Sequence, residues 1–143
     1  MQFVGDLSAL EISRRLRNGR LHFRVGPYIY NLTSNLAQIS SGIQTLYSEF
    51  PLAVINEFED FHVAMTRAGL LSRLRGKADF LFENQRPFGS VPSSQAYAFM
   101  EWGMNWCVSL HANEYLKLHA AAVARDGTAI IMPGVPGAGK STL

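Results

Sequence analysis

Near its C-terminus the chain reads Gly134-Val135-Pro136-Gly137-Ala138-Gly139-Lys140-Ser141, a match at every position to Gly-x-x-x-x-Gly-Lys-Ser/Thr. No other stretch narrows the possible folds as much, because the pattern serves one backbone arrangement. Phosphate oxygens are met there by several consecutive N–H groups, and the tight turns that aim those groups inward need φ values that glycine adopts without steric cost. Gly134, Gly137 and Gly139 supply them. Lys140 then sets an ammonium beside the β and γ phosphates, the Ser141 hydroxyl is the expected Mg²⁺ ligand, and Thr142 adds a further hydroxyl. A helix beginning near Gly139 would aim its N-terminal dipole and unpaired amides at the same phosphates. Loops of this kind join a buried strand to a helix, and the apolar run Ala129-Ile130-Ile131-Met132 stands directly before this one. A glycine-rich linker rarely follows such a run. The expected nucleotide contacts are therefore Gly134, Val135, Pro136, Gly137, Ala138, Gly139, Lys140, Ser141 and Thr142.

Upstream, Leu116 to Ala124 and Ala129 to Met132 are two apolar runs separated by Arg125-Asp126-Gly127-Thr128, where Asp-Gly signals a hairpin turn. His119 falls on the first of these predicted strands, on the face it shares with Lys117, Ala121 and Val123 by two-residue alternation. It reads equally as a histidine satisfied by structural hydrogen bonds and as a group approaching the phosphate site. Before the hairpin, residues 96–112 predict a helix with Phe99, Trp102, Met104, Trp106, Cys107, Val108 and Leu110 on too many sides for a surface helix, so it is expected to be largely buried. Tyr97, Phe99, Trp102 and Trp106 read as core packing rather than a ligand pocket. Glu101 and Asn105, four apart, are expected to bond each other or a nearby strand.

The first part of the chain has a different texture. Ser8 and Glu11 form a capping-box pattern, opening a short helix that ends near Asn18-Gly19. Leu21, Phe23 and Val25, then Tyr28, Tyr30 and Leu32, alternate on either side of Gly26-Pro27 and predict a β-hairpin. Thr33, Ser34 and Asn35 offer capping oxygens to a second helix, in which Leu36, Ile39, Ile43, Leu46, Tyr47 and Phe50 recur until Pro51. Phe61, Val63 and Met65 predict a strand, and Phe80 with Phe82 another, before the turn-rich segment Glu83 to Pro87. Pro87, Gly89, Pro92, Ser93 and Ser94 make a polar break. The expected organisation is an α+β region over residues 1–93, followed over residues 94–143 by the start of an α/β P-loop domain.

Composition excludes several partners. Net charge is +2, from 13 Lys and Arg against 11 Asp and Glu, and points to neither nucleic acid nor a membrane surface. Arg14, Arg15, Arg17, Arg20 and Arg24 crowd one stretch and read as a solvated face. The single cysteine, Cys107, allows no internal disulfide and no zinc pattern, so a reducing cytoplasm is expected. His22, His62 and His111 show no ligand spacing and read as structural. Neither a secretory signal nor a membrane-spanning run is recognisable.

The strings Glu101 to Ser109, Leu116 to Gly134 and Pro136 to Leu143 resemble the HPr kinase-related kinase A proteins, and the likeness extends loosely upstream through Gly26 to Leu32, Leu46 to Pro51 and Phe58 to Val63. Glu101-Trp102-Gly103 with Asn105-Trp106-Cys107 is its most specific part. That family is similar to bacterial HPr kinase/phosphorylase, with a phosphoenolpyruvate carboxykinase-like P-loop core. The resemblance implies a kinase using ATP and Mg²⁺ on a protein or small molecule, with Lys140 and His119 as catalytic residues, and a PqqD-like peptide-binding protein as a possible partner. In such kinases the catalytic aspartate follows the P-loop helix, so a chain reaching only Leu143 is expected to be truncated after the loop and inactive alone. Two other readings stand beside it: a nucleotide-regulated peptide- or partner-binding module whose recognition edge is the first hairpin, and a GTPase.

Overall fold

Ser8 begins the first helix. Its hydroxyl accepts a hydrogen bond from the Glu11 amide at 3.2 Å, which satisfies one of the helix's unpaired donors, and α1 runs Ala9–Arg17. The other half of the capping box is replaced, because the Glu11 carboxylate turns instead to Arg14 and Arg15 at 2.9 and 2.8 Å. Charged donors one turn along the helix hold it better than a neutral amide does. The computed structural model describes residues 1–54, 57–69, 76–118, 120–135 and 138, and the chain divides into two compact units, Met1–Val108 and Ser109–Leu143.

In the first unit β1 (Leu21–Val25) and β2 (Tyr28–Ser34) form the expected hairpin. Val25 faces Tyr28, leaving Gly26-Pro27 as a two-residue loop. Gly26 takes φ +58°, as a type II′ turn requires at its first central position; the proline ring holds φ negative at the second and so excludes type I′. Helix α2 covers Ala37–Leu46, about one turn less than the periodicity predicts. Beyond Tyr47 the chain leaves the helix because its backbone has better partners at the sheet edge. Gly5 and Val4 donate to Ser48 and Phe50 (2.8 and 2.9 Å), Arg24 donates to Pro51 (2.8 Å), and Ala53 donates to His22 (3.0 Å).

Strand β3 (Phe61–Arg67) then lies parallel to β2, β4 (Lys77–Phe82) antiparallel to β3, and β5 (Val91–Pro92) antiparallel to β4, in the order β1-β2-β3-β4-β5. This is an α+β unit with a mixed sheet. The registers stack side chains into rows on one face: Phe23, Tyr30 and Phe61; Leu21, Leu32, Val63 and Phe82; Ser34, Met65 and Phe80. Most of these residues are fully buried, and with Ile12, Leu16, Ile39 and Ile43 of the helices they make the core.

The third helix, α3 (Ala96–His111), is not buried on all sides. Ala96, Met100, Gly103, Met104 and Cys107 form its buried stripe, while Trp102 is 50% exposed. Its aromatic residues meet instead beside the stripe. Phe88 packs against Trp102 and Trp106 with ring centres 4.7 and 4.9 Å away, and also touches Phe80 and Phe99. Rings that partly shield one another this way satisfy an apolar helix surface without a second layer. No helix among the described residues is long and apolar enough to cross a membrane.

The string that carries the family resemblance proves to be built for packing. A Cβ on Gly103 would stand 2.4 Å from the Phe80 ring. Two residues away, the Glu101 carboxylate accepts hydrogen bonds from the Tyr47 and Tyr97 hydroxyls at 2.9 and 2.7 Å. Tyr97 itself lies over Gly42 of α2, so close that a Cβ there would meet its ring at 2.0 Å. Asn105 donates to the Glu101 main-chain carbonyl at 3.0 Å, so the expected contact between the pair is to backbone. Burial pushes the Cys107 thiol up to about 12, and it raises the Tyr47 hydroxyl as well, helped by the Glu101 charge.

The second unit contains a hairpin, β6 (Ala120–Arg125) and β7 (Thr128–Pro133). Asp126 and Gly127 both take positive φ, +49° and +75°, the signature of a type I′ turn. Strand β6 begins later than the apolar run suggests, since Leu116 and Leu118 lie outside it and are exposed.

Candidate functional site

Two features of the hairpin bear on the predicted phosphate loop. The first is position: β7 ends at Pro133, so Gly134 is the first residue after a strand. The second is surface. The register places Ala121 and Val123 beside Met132 and Ile130 on one face, and Ala122 and Ala124 beside Ile131 and Ala129 on the other. Both faces are apolar, and Val123, Ile130 and Ile131 are 55%, 64% and 54% exposed. Strands apolar on both faces are characteristic of sheets covered on both sides, as in parallel α/β domains, and a two-stranded hairpin alone is marginally stable.

Within the loop, Gly134, Val135 and Ala138 are placed. Val135 is 74% exposed, and the Ala138 amide donates to the Val135 carbonyl at 3.2 Å. Pro136, Gly137, Gly139, Lys140, Ser141 and Thr142 lie outside the described residues, as does His119. Among the described residues no group of three or more His, Cys, Asp or Glu side chains is arranged to hold a metal ion.

A polar constellation that the sequence reading missed lies in the first unit, on the sheet face opposite the core. His22, Asn31 and His62 are cross-strand neighbours on β1, β2 and β3. Above them Glu59 bridges the two imidazoles, its Oε1 3.0 Å from His22 Nδ1 and its Oε2 2.5 Å from His62 Nε2, and it accepts from Asn31 Nδ2 at 3.0 Å. His62 Nδ1 also faces Glu83 Oε2 at 3.2 Å. Glu83 and Asn84 turn the chain with positive φ, +48° and +61°, a backbone conformation unusual for glutamate, and the turn places that carboxylate over His62. Partial burial opposes charge on both central groups but is outweighed. The bonds to Glu83 and Glu59 raise His62 above the usual histidine value, and those from Asn31 and His62, with the His22 charge, lower Glu59. Asn31 Oδ1 is buried without a hydrogen-bond donor among the described residues. The signal for this row was available in strand register rather than in spacing along the chain. Beside it lies a cleft of about 570 Å³ between α1 and Ala53, Glu57 and Glu59.

Compared with family models, curated proteins and solved structures, the chain matches none.

The outer edge of the first hairpin is occupied. Arg24 and His22 of β1 already bond residues 51 and 53, so an extended peptide adding there would have to displace that segment.

Proposed function

We propose that the chain carries the phosphate-binding part of an ATP-dependent P-loop kinase similar to HPr kinase, which transfers the γ-phosphoryl of ATP to a hydroxyl of a protein or small molecule. The observation that carries the reading is the β6–β7 hairpin, apolar on both faces and ending one residue before Gly134. A loop that cradles phosphate needs a strand held rigidly in a covered sheet, and this strand has the composition for one. In this reading Lys140 offsets charge on the β and γ phosphates and the Ser141 hydroxyl holds Mg²⁺, which supplies further charge neutralisation. His119, preceding β6 in sequence, is assigned to the same site by resemblance, and the acceptor is a protein or small molecule, with a PqqD-like peptide-binding protein as one possible partner. The loop alone does not distinguish ATP from GTP.

Calorimetry of Mg·ATP binding to the 143-residue chain and its Lys140→Ala variant tests the proposal. Loss of a charged hydrogen-bond donor to phosphate is worth about 1.5–3 kcal/mol, so affinity should fall about tenfold or more. Equal affinity in the two proteins would reject the phosphate-loop reading.

A further inference from the structure

We propose that His62, Glu59 and His22 form a pH-sensitive latch that holds the segment Glu57–Asp60 onto the open face of the sheet. The argument starts from hydrogen-bond direction. Both ring nitrogens of His62 face carboxylate oxygens, Glu59 Oε2 and Glu83 Oε2. Both nitrogens of His22 face acceptors too, Glu59 Oε1 and the Gly19 carbonyl at 3.3 Å. A neutral imidazole has one N–H and can donate to only one of two such partners, whereas an imidazolium donates to both. The complete set of bonds therefore exists only while the rings are protonated, and losing a proton strands an acceptor on Glu59 or beside it.

Glu59 is the hub of the segment's attachment. Its neighbours are tied separately: Glu57 to Arg24 at 2.8 Å, and Asp60 to β2 through the Ile29 amide at 2.8 Å and its own amide to the Ile29 carbonyl at 2.9 Å. The other charges facing the cluster are largely paired. Arg14 and Arg15 of α1 are paired with Glu11, Arg24 of β1 with Glu57, and Arg20, just before β1, lines the same cleft. Glu83 favours protonation of His62 from the turn after β4.

The direction follows from the two titrations. His62 lies above its ordinary value in the folded protein, so its contribution is complete at pH below the unfolded histidine value and is lost as pH rises through the folded one. Glu59 lies below its ordinary value, so its contribution is present above the unfolded carboxylate value and is lost as pH falls through the lowered one. The segment is held best at mildly acidic pH and loosens on the alkaline side.

The test is amide exchange of Asp60 in the whole chain, corrected for intrinsic rates and referred to core amides of β3, with NMR titration of the His62 ring in the same samples. Each unit by which the His62 midpoint exceeds that of the released segment multiplies the opening constant by ten as pH rises. Asp60 protection should therefore fall about threefold or more between roughly pH 5.5 and 8.5, in step with the His62 titration. In His62→Gln, whose amide donates at every pH, that step should vanish while β3 protection stays unchanged. Flat Asp60 protection in the unaltered chain, or a His62 midpoint at or below the ordinary value, would overturn the latch, and neither measurement depends on the variant folding.

Discussion

Replacing Gly103 with alanine sets two effects of known size against each other. In an exposed helix interior the change favours folding by about 1 kcal/mol, because glycine loses more backbone entropy. Here the added Cβ would lie 2.4, 2.6 and 2.7 Å from three atoms of the Phe80 ring, roughly 1 Å inside the ordinary carbon–carbon separation of about 3.5–4.0 Å. The ring cannot swing aside freely. Phe80 is 1% exposed, with Phe88 and Phe99 ring centres 5.9 and 6.5 Å away. Overpacking a well-filled core costs about 1–3 kcal/mol, and so close a contact belongs in the upper half of that range. The net expectation is a loss of about 1–2 kcal/mol, read as a urea midpoint shift without change of slope, or a Tm lower by roughly 4–8 °C per kcal/mol. A double-mutant cycle with Phe80→Leu isolates the cause. The smaller side chain makes room for the methyl, so the pair should be less destabilised than the sum of the single changes by about 0.5 kcal/mol or more. A Gly103→Ala protein as stable as the parent, or strictly additive behaviour, would refute the close approach of helix and sheet.

Two further outcomes are expected. Glu101→Ala leaves the Tyr47 and Tyr97 hydroxyls without their shared acceptor and should destabilise by about 1–3 kcal/mol in urea unfolding, with Tyr47→Phe in that background costing less than it does in the parent. Cys107, its thiol held protonated by burial, should resist thiol reagents at pH 8 in the native chain and react at once in denaturant.

Much of the first unit was legible because its signals were local. Ser8 marked a helix start and Gly26-Pro27 a two-residue hairpin loop, as Asp126-Gly127 marked the turn of the second unit, each through local geometry that few residues supply. The end of α2 was not legible, since what stops it are bonds from Gly5, Val4 and Arg24, residues remote in sequence. Composition predicts a largely buried α3 because it counts apolar residues without saying which neighbour shields them, and Phe88 supplies that shield from a segment that reads only as loop. The predicted site divides similarly. The order of strand and glycine loop could be read directly, while the pairing of His22 and His62 through Glu59 depends on a parallel register between β2 and β3 that no short motif announces.

The placement of α3 has a consequence for the order in which the protein can be made. Tyr30 donates its hydroxyl to the Met104 carbonyl at 2.9 Å, Tyr47 reaches Glu101, and Phe80 rests on Gly103, so the sheet's inner face is sealed by the last helix of its own unit. A ribosome delivers that helix only after all five strands have emerged. Until then Tyr30 and Phe80 lack the cover that α3 gives them beside α1 and α2, and a chain stopping at Ser93 would leave that part of the core open to solvent.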